Sequence, residues 1–179
     1  DDIWRKIAEV RLEQARYGLS DLCLREWKAT DIQGTTDAKS VISVMQFNAL
    51  AEGLSSGPTL KKPFQINSSE GHGQSEKQLY GGFTEIPVPS VSLDFGLRRW
   101  RLLEVILGTR VSADSTSSCD LIGLQEIDRY RGFFAPLMRL FGYEGIFKPK
   151  PKSPGVKLGW YSDGCCLFWK KEIFELLSE

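Results

Sequence analysis

The sequence predicts a mixed α/β fold, because short apolar runs alternate along the chain with amphipathic helical segments. Turn-forming residues bound each apolar run, and each run has the length of a strand. The predicted strands are 41–48, 120–126, 143–147 and 164–170. The predicted helical segments are 2–28, 94–108 and 134–141. A chain of 179 residues is long enough to bury a core as one domain.

The first segment, residues 2–28, carries apolar residues at helical spacing among charged ones. These residues are Ile3, Ile7 and Val10. Gly18 predicts a stop that divides the segment into two helices. We expect this arm to pack on its own domain, and binding of a partner protein is the alternative. Residues 1–39 are therefore predicted as a helical arm with a polar connector, and 40–179 as the main domain.

An insertion at about 53–92 follows the first strand and is rich in glycine, serine and proline. Its low apolar content and lack of periodicity predict a flexible loop, above all around 66–78, with the end at Phe83–Val91 more ordered. The next helix has Asp94 as its N-cap and Gly108 as its stop. We expect its arginines to lie mostly on a solvated face. These are Arg98, Arg99 and Arg101.

Two predicted strands end on polar side chains, 41–48 on Asn48 and 120–126 on Glu126. The carboxyl edge of a sheet is where α/β folds commonly place ligands. An acid and an amide are oxygen donors that suit a hard cation such as Mg²⁺. The alternative is a helix cap for Glu126 and a turn for Asn48. Asp163, before a glycine and the last strand, is expected to be a structural turn residue.

Three motifs in a fixed order carry a resemblance to a known family. They are VMQFNALAEGL at 44–54, DLIGLQEIDRY at 120–130, and GYEGIFKPKPKSP followed by SDGCCLFWK within 142–170. They resemble the exonuclease–endonuclease–phosphatase superfamily, in the branch of nocturnin and the carbon-catabolite-repressor type deadenylases. The Pro-Lys-Pro passage argues against the sphingomyelinase-like and inositol-phosphatase-like members. The similarity covers about 41–54 and 94–175.

The resemblance implies two packed β-sheets flanked by helices, of which this chain would form part. It implies metal-assisted phosphoester hydrolysis, with Glu126 holding Mg²⁺ and Asn48 orienting the phosphate or a water. Lys150, on a rim that prolines restrict, matches a lysine that faces the substrate phosphate in nocturnin-like proteins. Lys148 and Lys152 are expected to be solvated. The implied substrates are NADP(H), which would lose its 2′-phosphate, or poly(A) RNA, which would be shortened from its 3′ end.

The second half of the family pattern is not found. Its Asp-x-Asn strand end and late Asp-His pair do not occur after Glu126, and the one histidine, His72, lies upstream in a Gly/Ser loop. One interpretation is a fragment of a hydrolase. The other is a catalytically inactive binding or scaffold module with the same fold.

Composition bears on the kind of ligand, the metal and the compartment that the sequence predicts. Lys+Arg and Asp+Glu are equal at 23 each, so any contact with RNA or a nucleotide would be local. The 4 cysteines lack CxxC spacing, which argues against zinc. Scattered thiols, with no signal peptide or membrane-spanning run, indicate an intracellular, cytoplasmic protein, and a removed organelle signal stays open. Trp160 and Tyr161 are either base-stacking surface or buried anchors.

Overall fold

The computed structural model describes residues 2–19, 42–55, 85–108, 118–153, 156 and 161–178. The second N-terminal helix, the polar connector and most of the insertion lie outside this described part, as do His72 and Trp160. The predictions made for those segments stay predictions.

The described residues form helices and one mixed sheet. The helices are α1 Asp2–Ala15, α2 Glu52–Ser55, α3 Pro89–Ser92, α4 Phe95–Gly108 and α5 Ala135–Leu140, with a π-helical turn Tyr130–Phe134 before α5. The strands are β1 Val44–Asn48, β2 Leu121–Ile127, β3 Tyr143–Pro149 and β4 Gly164–Lys170. Their order in the sheet is β1-β2-β4-β3; β1 is parallel to β2, and β4 is antiparallel to both of its neighbours. The predicted α/β class is confirmed, and the described part contains one of the two sheets that the resemblance implies.

One face of the sheet packs against helices and forms the core. Because side chains alternate between the two faces of a strand, buried positions recur at every second residue. The core side chains of the strands include Met45, Ile122, Leu124, Tyr143, Cys166 and Phe168, and those of the helical segments include Leu103, Ile106, Phe134 and Met138. Burying one large apolar side chain stabilises a fold by about 1.5–3 kcal/mol. The other face of the sheet includes the exposed side chains of Val44 and Leu167.

The helix α1 packs on α4, as expected for an arm that covers its own domain. Ile7 and Val10 are each 2% exposed, and Arg11 forms an ion pair with the buried Glu104 of α4. Gly18 follows the helix with a φ of 68°, a left-handed conformation that glycine adopts without a steric penalty. The apolar stripe of α1 is thus occupied inside the molecule. A partner protein for this helix finds no support in the packing, and the proposed boundary at residue 39 stays a prediction.

The arginines of α4 correct the sequence analysis, which placed them mostly on a solvated face. Arg98 donates to the carbonyl oxygen of Ala49 at 2.5 Å. Arg101 is 7% exposed and pairs with Glu104 at 2.8 Å. Arg99 lies over an aromatic ring of the π-helical turn, with 5.1 Å between its guanidinium carbon and the ring centroid. The apolar stripe of α4 predicts only the face that packs on the core. In the structure, neighbouring segments also contact the faces of α4 that carry the arginines.

No helix in the part of the chain that the structure describes combines the length and the apolar character needed to cross a bilayer.

Asp120 connects three strands at the end of the sheet where β2 begins. Its Oδ2 accepts hydrogen bonds from the backbone nitrogen and the Oγ of Ser43, at 2.9 and 2.6 Å, and its Oδ1 accepts one from Lys170 Nζ at 2.9 Å. Within the predicted strand 41–48, the described residues form β1 from Val44 to Asn48, directly after Ser43. Burial by itself would raise the pKa of Asp120, but the bonds from Lys170 and Ser43 outweigh it and lower that pKa. The carboxylate therefore holds β1, β2 and β4 in register.

Replacing Asp120 by asparagine should lower the free energy of unfolding at pH 7 by about 1–3 kcal/mol, because Lys170 and Ser43 would lose a charged acceptor. A lowered pKa in the folded state stabilises the fold above the ordinary aspartate pKa of about 3.9. That contribution is lost as the pH falls through the folded-state pKa. Urea unfolding at pH 7 and in acid, followed by tryptophan fluorescence, should show the gap between variant and wild type closing in acid.

The control for this experiment is Glu9→Gln. Glu9 pairs with Lys6 on the exposed face of α1, where ion pairs contribute little, so this variant should unfold like the wild type. An Asp120→Asn protein as stable as the wild type at pH 7 would show that the charged hydrogen bonds of Asp120 are not needed to hold the three strands together.

Candidate active site

The sheet topology brings the three residues singled out in the sequence to one edge. The strands β1, β2 and β3 all point the same way, because β2 and β3 are each antiparallel to β4. Their carboxyl ends therefore share an edge. Asn48 is the last residue of β1, Glu126 lies in the last part of β2, and Lys150 follows the last residue of β3. Two strand spacings separate β2 from β3, roughly 10 Å in all.

Asn48 and Glu126 are in direct contact, although they are 78 positions apart in the chain. Asn48 Nδ2 donates to Glu126 Oε1 at 3.0 Å, and Asn48 Oδ1 accepts from the backbone nitrogen of Leu50 at 2.9 Å. The amide is thereby oriented with its N–H groups toward the acid. In this arrangement Asn48 faces Glu126 as a hydrogen-bond donor, and its bond to Leu50 forms the turn that the sequence analysis gave as the alternative. The expectation that both side chains offer oxygen atoms to a cation stays a prediction.

The backbone is irregular on both sides of this contact. Leu124 pairs with Cys166 and Ile127 with Gly164, so a step of three residues on β2 faces a step of two on β4. Glu126 in this bulge has a φ of 55°, and Leu50 has a φ of 54°. A left-handed conformation costs a non-glycine residue about 1 kcal/mol or more. Strict alternation would place Glu126 on the face of the buried Leu124, and the extra residue re-aims it.

Replacing Glu126 by glycine should destabilise the fold less than replacing it by alanine. Both variants lose the contact with Asn48, but glycine has no Cβ to disfavour a positive φ. After the larger entropy loss of glycine on folding, we expect a difference of about 0.5–1 kcal/mol in the free energy of unfolding. Denaturant titration of both variants measures it.

Gln125 provides the matched pair for this experiment. It lies in the same strand without a positive φ, so there the glycine variant should be less stable than the alanine variant. If Glu126→Gly is less stable than Glu126→Ala by the same margin as the Gln125 pair, the assignment of backbone strain to Glu126 is contradicted.

Lys150 is anchored through its backbone while its side chain is exposed. Its backbone nitrogen donates to the carbonyl oxygen of Asp163 at 2.7 Å, and its Nζ lies 4.0 Å from Asp163 Oδ2. The side chain of Lys150 is 54% exposed, whereas that of Asp163 is 5% exposed. Ser153 Oγ donates to Asp163 Oδ1, so this carboxylate is part of the turn, as expected.

Gly164 is required by the close approach of β3. A Cβ on Gly164 would collide with the backbone of Lys148, which explains the glycine at that position.

A group of buried charges lies beneath this edge, and the sequence analysis missed it. Glu52 accepts from Arg129 Nε at 2.6 Å, and Asp128 Oδ2 accepts from a backbone nitrogen of α2 at 3.0 Å. Burial raises the pKa of Glu52 and that of Asp128. Burial also lowers the pKa of Arg98 to about 10, against the opposing influence of both acids. The signal in the sequence was the presence of these charged residues inside two of the motifs, Glu52 in 44–54 and Asp128 with Arg129 in 120–130.

Arg98 connects these charges to the candidate site. Its guanidinium donates to the carbonyl oxygen of Ala49 and to Ser55 Oγ, the latter at 3.1 Å. Ala49 directly follows Asn48, so the arginine holds the turn that orients the amide.

The residues at this edge fit a hard cation if water and a substrate phosphate supply most of its ligands. Within the described ranges, no group of three or more His, Cys, Asp or Glu side chains could hold a metal ion. Mg²⁺ commonly takes one or two carboxylates from a protein and completes its coordination with waters and substrate phosphate. Glu126 therefore fits as one ligand of a site that water and a phosphate would complete.

Known proteins have sequences similar to this one over 51–80% of the chain. No protein-family model matches the chain. Mouse nocturnin is 31% identical over 145 residues, which make up 80% of this chain and 26% of that protein. The Ccr4 subunit of the Saccharomyces cerevisiae CCR4-Not complex, a 3′-5′-exoribonuclease, is 37% identical over 95 residues, or 51% of this chain and 10% of that protein. The structure of the human nocturnin catalytic domain with bound sulfate is 28% identical, with a TM-score of 0.49 over 76% of this chain and 35% of that chain.

These relatives confirm the resemblance drawn from the three motifs. The chain belongs to the exonuclease–endonuclease–phosphatase superfamily. Within it, the chain falls in the branch that contains nocturnin and the Ccr4-type deadenylases. It spans about a quarter of the length of the mouse and human nocturnins that it matches.

Proposed function

We propose that this chain supplies the metal-binding and phosphate-orienting part of a Mg²⁺-dependent phosphoester hydrolase. The observation that carries the proposal is the 3.0 Å hydrogen bond from Asn48 Nδ2 to Glu126 Oε1, at the edge where β1 and β2 both end. The family supports it, because its members generally depend on divalent metal ions. The substrate in this proposal is a phosphorylated nucleotide such as NADP(H), and poly(A) RNA is the alternative.

Glu126 is the residue that would hold Mg²⁺. The ion, when bound, would neutralise a phosphate oxygen and stabilise the negative charge that develops during hydrolysis. The bulge in β2 gives the carboxylate its position beyond the regular ladder, and the hydrogen bond from Asn48 restricts its rotation.

Asn48 would orient the substrate phosphate. A side-chain amide carries two N–H donors, and one of them already points to Glu126. The backbone nitrogen of Leu50 engages the amide oxygen, so the nitrogen stays directed toward the acid. A phosphate oxygen beside Glu126 could accept the second N–H.

Lys150 would contact a phosphate from the other side of the edge. Its ammonium is exposed and lies 4.0 Å from the carboxylate of Asp163, which is a long distance for an ion pair. This weak pairing can be replaced by a phosphate dianion. The backbone bond to Asp163 keeps the base of the side chain in place. A position two strand spacings from Glu126 suits a second phosphate of a dinucleotide or the far side of the same phosphate.

Replacing Glu126 by glutamine should lower the affinity for Mg²⁺ by about 100-fold or more, since even partners outside the ligand sphere are worth 10- to 100-fold. The glutamine keeps the size of the side chain but removes its charge. Isothermal titration with MgCl₂ in the presence of AMP measures the affinity, and phosphate release from NADPH and shortening of oligo(A), each with and without EDTA, measure turnover.

Glu144→Gln is the matched control, because Glu144 is an exposed glutamate of β3. Near-normal Mg²⁺ affinity in Glu126→Gln would overturn the metal assignment. Turnover by the wild type would exclude the alternative of a catalytically inactive binding module. Nucleotide binding without turnover would fit both interpretations, because the Asp-x-Asn and Asp-His parts of the family pattern do not occur after Glu126.

Lys150→Ala should weaken the binding of NADP(H) about 10-fold and that of oligo(A) less, if a nucleotide phosphate is the substrate group. Lys148→Ala, from the same exposed rim, should change neither affinity by more than a small factor. Equal losses on both ligands in Lys150→Ala would favour poly(A), since the lysine would then be one of several backbone contacts. An unchanged affinity for both ligands would remove Lys150 from the site.

A further inference from the structure

Tyr161 lies on the rim beside the candidate site, with a side chain that is 42% exposed. It is connected to both parts of that site. The next residue, Ser162, donates through its Oγ to the carbonyl oxygen of Lys150 at 2.9 Å. From the other direction, the guanidinium of Arg129 lies 4.5 Å from the centroid of the Tyr161 ring. Arg129 follows shortly after Glu126, so the ring is close to the end of β2.

Arg129 is itself held in place. Its Nε donates at 2.6 Å to Glu52, whose side chain is 8% exposed. A planar guanidinium paired with a buried carboxylate has little rotational freedom, and a cation over an aromatic face adds attraction. The Tyr161 ring therefore rests on a support anchored in the interior of the domain. An exposed ring that is positioned in advance loses little entropy when a ligand stacks on it.

We propose that Tyr161, supported by Arg129, is the stacking platform for the nucleobase of the substrate. The proposal rests on the proposed function, which places the phosphate between Glu126 and Lys150. Every base has a π-face, and stacking on an aromatic side chain contributes about 1–3 kcal/mol per base. The chain has no net charge to attract nucleic acid, so recognition must come from local contacts such as this one. The platform would serve the adenine of NADP(H) and that of poly(A) alike.

The test compares two ligands that differ in the base alone. Isothermal titration of the full chain in Mg²⁺ measures the affinities for AMP and for ribose 5-phosphate. Tyr161→Leu keeps apolar bulk but removes the π-face, and should bind AMP about 5- to 150-fold more weakly, with the affinity for ribose 5-phosphate unchanged. Tyr161→Phe should retain the affinity for AMP. Tyr17→Leu, at an exposed tyrosine after α1, is the control and should bind both ligands like the wild type.

A second variant keeps the test decisive if Tyr161→Leu does not fold. Arg129→Lys keeps a cation beside Glu52 but removes the planar contact with the ring, and should also lower the affinity for AMP selectively. The platform is overturned if AMP affinity is unchanged in the variants, or if both ligands lose affinity equally. Wild-type protein that binds neither ligand would overturn the proposed function, and this inference with it. Wild-type binding of both ligands with no effect at Tyr161 would leave the phosphate site standing alone.

Discussion

The candidate site depends on one constraint, the parallel pairing of β1 with β2. The register places Asn48 opposite Gln125, so two segments 78 positions apart end at the same edge. Neither strand by itself defines a site, since each contributes one polar side chain to it. The bulge in β2 then turns Glu126 out of the regular alternation and toward the amide. The strained conformation of Glu126 is tolerated because the strands around it are held by the core.

The β1–β2 pair is secured by polar contacts at both of its ends. At the end where β2 begins, the carboxylate of Asp120 accepts two bonds from Ser43 and one from Lys170. At the opposite end, Asn48 and Glu126 form the hydrogen bond of the candidate site. A shift of one residue in this pairing would move every side chain of β1 to the other face of the sheet. The hydrogen bonds of Asp120 and the Asn48–Glu126 contact of the candidate site therefore require the same register.

Buried charge is concentrated beneath the site. Removing Glu52, Asp128 and Arg98 from water is unfavourable, as the shifts in their pKa values show. The cost is offset by close partners, among them Arg129 for Glu52 and the Ala49 carbonyl for Arg98. Breaking one such pair leaves a buried charge without compensation, which is strongly destabilising. The arrangement fixes the segments that carry Asn48 and, through Arg129, the ring of Tyr161.

The sequence alone determined the local elements and the identity of the polar residues at the strand ends. Apolar periodicity located α1, α4 and the four strands, and the order of three motifs pointed to the family. Tertiary structure alone decided the strand order, the bulge at Glu126, the burial of the α4 arginines and the contact between Arg129 and Tyr161. Periodicity reports which face of an element is apolar, because each residue carries that property itself. Contacts between distant segments depend on how the elements pack, and no single stretch of sequence encodes that.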